Sequence, residues 1–154
     1  MDGGSDPDLL VRRLDERIPL WDRRIDLVVL THSHEDHAGG LAGLVPRYHL
    51  GRIAGSGMES DSPGVVGLRL AAERHGIDRV TLGQGDAFRL GSARVDVVWP
   101  PRDVVTGAAP VTNREVNDTS VVLAIRIGTQ RALLMGDLEA DRDLDRDVTE
   151  VCPG

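Results

Sequence analysis

Directly behind the apolar run Leu27-Val28-Val29-Leu30, the sequence sets four potential metal ligands: His32, His34, Asp36 and His37. The run is short, β-branched in its middle and bounded by Asp26 and Thr31, so it reads as a buried strand. The ligands then fall on a tight turn at the strand's end. Gly39 and Gly40 lend that turn conformational freedom before the next apolar segment.

The spacing has chemical content. His32 and His34 are two apart, so an extended backbone directs both imidazoles to one side. Asp36 and His37 follow once the chain has begun to turn, and they face a second point nearby. Neutral imidazoles with a carboxylate suit Zn²⁺, Mn²⁺ or Fe²⁺. Two such ions about 3.5–4 Å apart draw a nucleophile from water and clamp an oxyanion. The alternative is a polar loop that happens to hold three of the chain's five histidines, but such clusters are uncommon without a metal.

The motif resembles the His-x-His-x-Asp-His signature of the metallo-β-lactamase superfamily, with all its positions filled. Further segments recur in order: Asp2-Gly-Gly4, Trp21 to Asp26, Leu82 to Ala87, Trp99-Pro-Pro101, Asn117 to Leu123 and Leu134 to Glu139. Together they resemble the hydrolase domain of ComEC-type competence proteins, the DNA-uptake channels of transformable bacteria. The resemblance implies an α/β fold, an αββα sandwich of two mixed sheets flanked by helices. It implies two divalent ions, Zn²⁺ or Mn²⁺, held by His32, His34, Asp36, His37 and Asp137. Asp137 ends the apolar run Leu133-Leu-Met135, and the matching aspartate bridges the two ions. Asp36 and His37 are the candidate catalytic residues, with Asp36 orienting the attacking water as well as ligating. The implied substrate is single- or double-stranded DNA, cleaved at its phosphodiesters. The implied location is the extracytoplasmic face of the bacterial membrane, as part of a channel protein; a stand-alone chain would be cytoplasmic.

Composition bounds these readings. The 154 residues suffice for one domain spanning residues 1–154. Hydrophobic residues make up 40% and aromatics only 3%, so the core must be built from Val, Leu, Ile and Ala. No run of 18 apolar residues and no signal-like start is present. A lone cysteine, Cys152, excludes an internal disulfide. Net charge is −7 and all 18 basic residues are arginine, a pattern of GC-rich coding. An acidic chain is a poor non-specific nucleic-acid binder, although bound metals add positive charge that this count omits.

In chain order, Asp6 caps a helix with Pro7 at its first position, running to about Arg17. Arg12, Arg13, Arg23 and Arg24 read as a solvated face, with phosphate contact the alternative. A short helix over Ala38 to Val45 stops at Pro46, and His49 to Ala54 is a strand. The loop Gly55 to Ser62 is either a substrate contact or a plain connector. Ser62 and Pro63 start another helix, which ends at Gly76 with His75 beside the last carbonyls. Strands follow at Val80–Leu82, Ala87–Leu90 and Ala93–Trp99, the latter two as a hairpin. Residues 102–116 read as a long loop, Ser120–Ile127 as a strand, and Arg131–Met135 as its partner. The charged run Asp141 to Asp147 is an exposed helix start or frayed end.

Two features depart from the wider superfamily pattern. Many of its enzymes supply a histidine from a turn where this chain has Asn117-Asp-Thr-Ser120. Asn117 or Asp118 could ligate or contact substrate there, or form an Asx turn entering a strand. β-Lactams are therefore not expected substrates. In addition, no histidine follows His75, and the apolar strand expected before Asp2 is absent, so the domain is expected to be incomplete. The leading functional expectation is a metal-dependent DNA phosphodiesterase. A generic ester, thioester or lactam hydrolase and an inactive metal-binding fragment are the alternatives.

Overall fold

A computed structural model of the protein describes residues 1–106 and 112–139. The charged run from Asp141, Cys152 and residues 107–111 of the expected loop lie outside the described residues. The chain divides into two compact units, Met1–Thr81 and Leu82–Gly154.

In the first unit, α1 (Pro7–Asp15) starts as the sequence predicts. The Asp6 carboxylate accepts from the Asp8 and Leu9 amides, and Pro7 needs no partner for its nitrogen. Strand β1 (Arg24–Leu30) leads into α2 (Glu35–Ala38) and a 3₁₀ turn, Leu41–Leu44. The expected helix over Ala38 to Val45 is therefore not formed: the α-helical turn comes earlier, over Asp36 and His37, and only a 3₁₀ turn follows. β2 (His49–Gly55), α3 (Pro63–His75) and β3 (Asp78–Thr81) complete the unit. Ser62 caps α3, and Gly76 ends it at φ 63°, where a side chain would be strained.

The three strands form a parallel sheet in the order β1-β2-β3, with Val28 opposite Ile53 and Ala54 opposite Val80. Parallel pairing needs long crossovers, and the helical segments between the strands supply them. Val11, Val28, Leu41, Leu44, Tyr48 and Ile53 are among the residues that make the core of this unit.

Below that core lies an ionic knot. Asp15 accepts from the Tyr48 hydroxyl at 2.8 Å, from Arg23 at 2.5 Å and from Arg47 at 3.1 Å. Arg23 also stacks over the Tyr48 ring, 5.4 Å from its centroid. Arg12, Arg13 and Arg24 are exposed, as a solvated face requires. Arg23 is not: it is half-buried and committed to Asp15. Its position eight residues beyond Asp15, across a turn, hid that pairing from a helical reading.

In the second unit, β4 (Ala87–Leu90) and β5 (Ala93–Trp99) form the expected hairpin, with Gly91 at φ 58° in the turn. The expected loop over 102–116 instead holds two short helices, α4 (Arg102–Thr106) and α5 (Asn113–Asn117). α5 carries a capping box: Thr112 and Glu115 satisfy each other's backbone amides. That Thr-x-x-Glu signal was legible, but the short helix shows no periodicity. β6 (Val122–Ile127) and β7 (Gln130–Leu134) close an antiparallel sheet, β4-β5-β6-β7. Asp96 on β5 binds Arg94 and Arg126, which face each other across the β5–β6 pair.

The α/β class and the two sheets are as expected. The sheets are not internally mixed among the described residues: one is parallel and the other antiparallel. Helical crossovers join the strands of the first; in the second, tight turns join β4 to β5 and β6 to β7, while residues 100–121 connect β5 to β6. The apolar run Leu133-Leu-Met135 is not a buried one, with Leu134 at 37% and Met135 at 36% exposure. β7 pairs only with β6 among the described residues, so it is an edge of that sheet. No helix among the described residues is long and apolar enough to cross a membrane.

The Asp15 knot gives a pH prediction. Hydrogen bonds from Tyr48 and then Arg23 hold the Asp15 carboxyl below its ordinary value of 3.8. Its stabilising contribution is therefore present above the unfolded value and is lost as pH falls through the lower folded one. Urea denaturation at a series of pH values below 5 should show Asp15→Asn losing less stability than wild type as the solution is acidified. Parallel losses in the two proteins would refute the assignment.

Candidate metal centre

Beyond β1 the chain bends at His32 and Ser33, is extended at His34 (φ −90°, ψ 152°) and becomes helical from Glu35. Thr31, His32 and Ser33 are buried at 0%, 1% and 3% exposure. Thr31, Ser33 and Glu35 are anchors. The Thr31 amide and hydroxyl donate to the two Asp2 carboxylate oxygens at 2.8 and 2.9 Å. The Ser33 hydroxyl donates to the Met58 carbonyl, and the Ser60 hydroxyl donates to the Ser33 carbonyl at 2.7 Å. The Glu35 carboxylate accepts from the Gly64 amide at 2.6 Å.

His32, His34, Asp36 and His37 are the residues with metal-ligand chemistry. His32 Nε2 lies 3.1 Å from His34 Nδ1. The His32 ring centroid is 4.8 Å from that of His34 and 4.1 Å from that of His37. His34 Nε2 is buried without a hydrogen-bond partner. Asp36 is largely exposed at 72%, with Oδ2 3.8 Å from His37 Nε2. The expected grouping of His32, His34 and His37, with Asp36 beside His37, is therefore present within the first unit. Three imidazoles facing one another cannot all satisfy their nitrogens mutually, and an orphaned buried nitrogen is costly. A divalent cation accepting those lone pairs fits this donor set.

Asp2 belongs with the site by position. It holds Thr31, and its Oδ2 lies 3.2 Å from His37 Nδ1. It is also the one described non-glycine residue with positive φ, at 48°. The Asp-Gly-Gly sequence was a visible turn signal, but its partner 29 residues away was not. The N-terminal residues are stitched along the motif: Asp2 N donates to Val29 O at 2.9 Å, Gly3 N to His37 O at 2.8 Å, and Gly40 N to Gly4 O at 2.7 Å.

Gly39 and Gly40 serve a different purpose from the expected one. Both adopt right-handed helical angles, with φ −54° and −74°, so the turn asks no special dihedral of them. Their role is space. A Cβ at Gly40 would stand 2.2 Å from the Gly3 carbonyl oxygen.

The loop after β2 walls a cleft of about 280 Å³ lined by His32, Ser33, Ser56, Met58, Glu59 and Arg69, among others. Arg79, at its rim, is paired with Glu59. The cleft sits near the lower end of ligand-pocket sizes, roughly 300–1,000 Å³.

The other expected site residues belong to the second unit. Asn117 is the last residue of α5, and its buried Oδ1 has no hydrogen-bond partner. Asp118 is 8% exposed, and its carbonyl accepts from the Trp99 indole at 2.7 Å. These residues form a helix terminus rather than an Asx turn entering a strand. Asp137 is exposed on the turn after β7, and its amide donates to the Ser120 hydroxyl at 3.3 Å.

The model of the Metallo-beta-lactamase superfamily matches residues 2–150. The chain belongs to that superfamily. It is 38% identical over 80 residues to a hydroxyacylglutathione hydrolase of Ruegeria pomeroyi, a match covering 50% of this chain and 26% of that protein. In fold it is similar to CmlA, a diiron β-hydroxylase from Streptomyces venezuelae, with TM-score 0.56 and 21% identity. That likeness covers 90% of this chain and 25% of the other. These matches span about a quarter of the length of each of the two proteins.

The steric role of the turn glycines is testable by denaturation. Gly40→Ala must displace backbone and should cost about 1–3 kcal/mol. Gly67→Ala, within α3, meets only Ala42 Cβ at an ordinary 3.6 Å. It should instead gain roughly 0.5–1 kcal/mol from helix propensity. A neutral Gly40→Ala would show that the N-terminal residues are not packed as described.

Proposed function

We propose that this protein is a metal-dependent hydrolase of the ester and thioester type. The observation that carries the reading is the cluster of His32, His34 and His37, with His34 Nε2 buried and unpartnered. The partial likeness to a hydroxyacylglutathione hydrolase supports a thioester as substrate.

In this reading His32, His34, Asp36 and His37 hold one or two divalent ions, Zn²⁺, Mn²⁺ or iron, with Asp137 as a further ligand by its place in the superfamily motif. The chemistry such ions supply when bound is activation of water and neutralisation of developing negative charge. The protein's own part is positional. Thr31 and Ser33 lock the segment, so the imidazoles need little reorganisation when substrate arrives. Asp36, exposed and beside His37, is placed to orient the attacking water and take its proton at a carboxylate oxygen. The cleft beside His32 receives the acyl or leaving group.

A DNA phosphodiesterase of the competence type is the second reading, located at the outer face of a membrane channel. It is favoured by Asn117-Asp-Thr-Ser120 standing where many superfamily enzymes have a histidine. The net charge of −7 opposes it.

Two measurements decide these points. Elemental analysis after dialysis should find at least one divalent ion per chain, reduced in the double variant Asp36→Ala/His37→Ala. Unchanged stoichiometry would refute the ligand assignment. A hydroxyacylglutathione thioester, an aryl ester, single- and double-stranded DNA and a chromogenic cephalosporin should then be assayed with Zn²⁺ and with Mn²⁺. Thioester or ester turnover is expected, with none of the cephalosporin. Metal-dependent cleavage of DNA alone would put the second reading first.

A further inference from the structure

We propose that Glu35, between His34 and Asp36, is a positioning residue for the metal-binding turn, acting through the N-terminus of α3. The proposal rests on the reading of that turn as a cation site.

α2 has only four residues and cannot hold itself in place. Its internal bonds are few: His37 N to His34 O at 3.2 Å, Ala38 N to His34 O at 3.0 Å and Gly39 N to Glu35 O at 2.8 Å. Yet it carries Asp36 and His37, so its rotation sets where both side chains point. Two contacts with α3 fix it. At its start, Glu35 Oε2 accepts from the Gly64 amide at 2.6 Å. This donor lies in the first turn of a helix, where amides lack intrahelical partners and the dipole favours a carboxylate. Ser62 serves the next amide, Val65, at 3.5 Å, so the two caps divide the work. At the end of α2, Gly39 and Gly64 meet without side chains. A Cβ on Gly64 would stand 2.6 Å from the Gly39 Cα, and one on Gly39 would stand 2.8 Å from Glu35 Oε1. α2 is thus clamped at both ends, by a charge-assisted bond and by close backbone contact.

Ser62 provides the control: it caps the same helix at the Val65 amide, and its other side-chain bond is to Ser60 rather than to Glu35, Asp36 or His37. The full-length chain would be prepared as wild type, Glu35→Ala, Glu35→Gln and Ser62→Ala. Amide hydrogen exchange of Ala38 and Gly39 would be read in metal-free protein. Cobalt(II) affinity and the cobalt visible spectrum would be read on titration. Glu35→Ala should speed the α2 exchange at least about tenfold and weaken cobalt binding by about 10–100-fold, the usual cost of losing an outer partner. Glu35→Gln keeps an acceptor oxygen and should recover most of both. Ser62→Ala should lower the melting temperature while leaving α2 exchange and cobalt binding as in wild type. If Glu35→Ala does not fold, Glu35→Asp, which keeps the charge but shortens the reach, carries the same comparison. Wild-type exchange or cobalt affinity in the Glu35 variant overturns the proposal, as does an equal effect from Ser62→Ala. Failure of the unaltered protein to take up cobalt would overturn the cation reading itself, and that result is seen without any variant.

Discussion

Burying imidazole nitrogens at the end of a parallel strand is the constraint around which the first unit is arranged. His32 is 1% exposed and His34 carries a buried, unpartnered nitrogen. Such groups are unfavourable inside a protein unless bonded. The backbone that presents them must therefore be held by other means. The holding groups come from separate places: Asp2 at the chain start, Met58 and Ser60 in the loop after β2, and Gly64 at the start of α3. Each grips an anchor residue lying next to a histidine in sequence. Thr31, Ser33 and Glu35 bond the rest of the protein, while the buried Nε2 of His34 is left without a hydrogen-bond partner.

Close packing follows from the same arrangement. For residues 2–4 to run beside the motif, Gly40 must present bare backbone to Gly3. For α2 to lie against α3, Gly39 and Gly64 must do the same. None of Gly39, Gly40 and Gly64 adopts a positive φ, so their conservation of space, not of dihedral freedom, is what the fold uses. The ionic knot at Asp15 is more conventional. It ties α1 to the chain before β1 and to Tyr48 through one carboxylate.

The functional reading has the same layered character. Superfamily membership rests on a match across residues 2–150. The chemistry rests on the histidine cluster. The choice of an ester or thioester over DNA rests on a partial likeness and on net charge, which is why the substrate assays bear on it most directly.

Much of this was legible in the sequence. Caps and breakers such as Asp6, Ser62-Pro63 and Gly76 act within one helical turn, so their signals are local: α1 and α3 start, and α3 stops, where they predict. The β4–β5 hairpin and the β1 strand were equally local. The four candidate ligands were visible together because their sequence spacing alone places them near one another. What the sequence could not show were pairings across long separations: Asp2 with Thr31, Arg23 with Asp15, Glu35 with Gly64. Arg23 read as part of a solvated face, and nothing local marked Asp2 or Glu35 as a support. Only the tertiary structure turns them into supports, because a hydrogen bond depends on distance in space, and sequence spacing fixes that distance only within a turn or two of the chain.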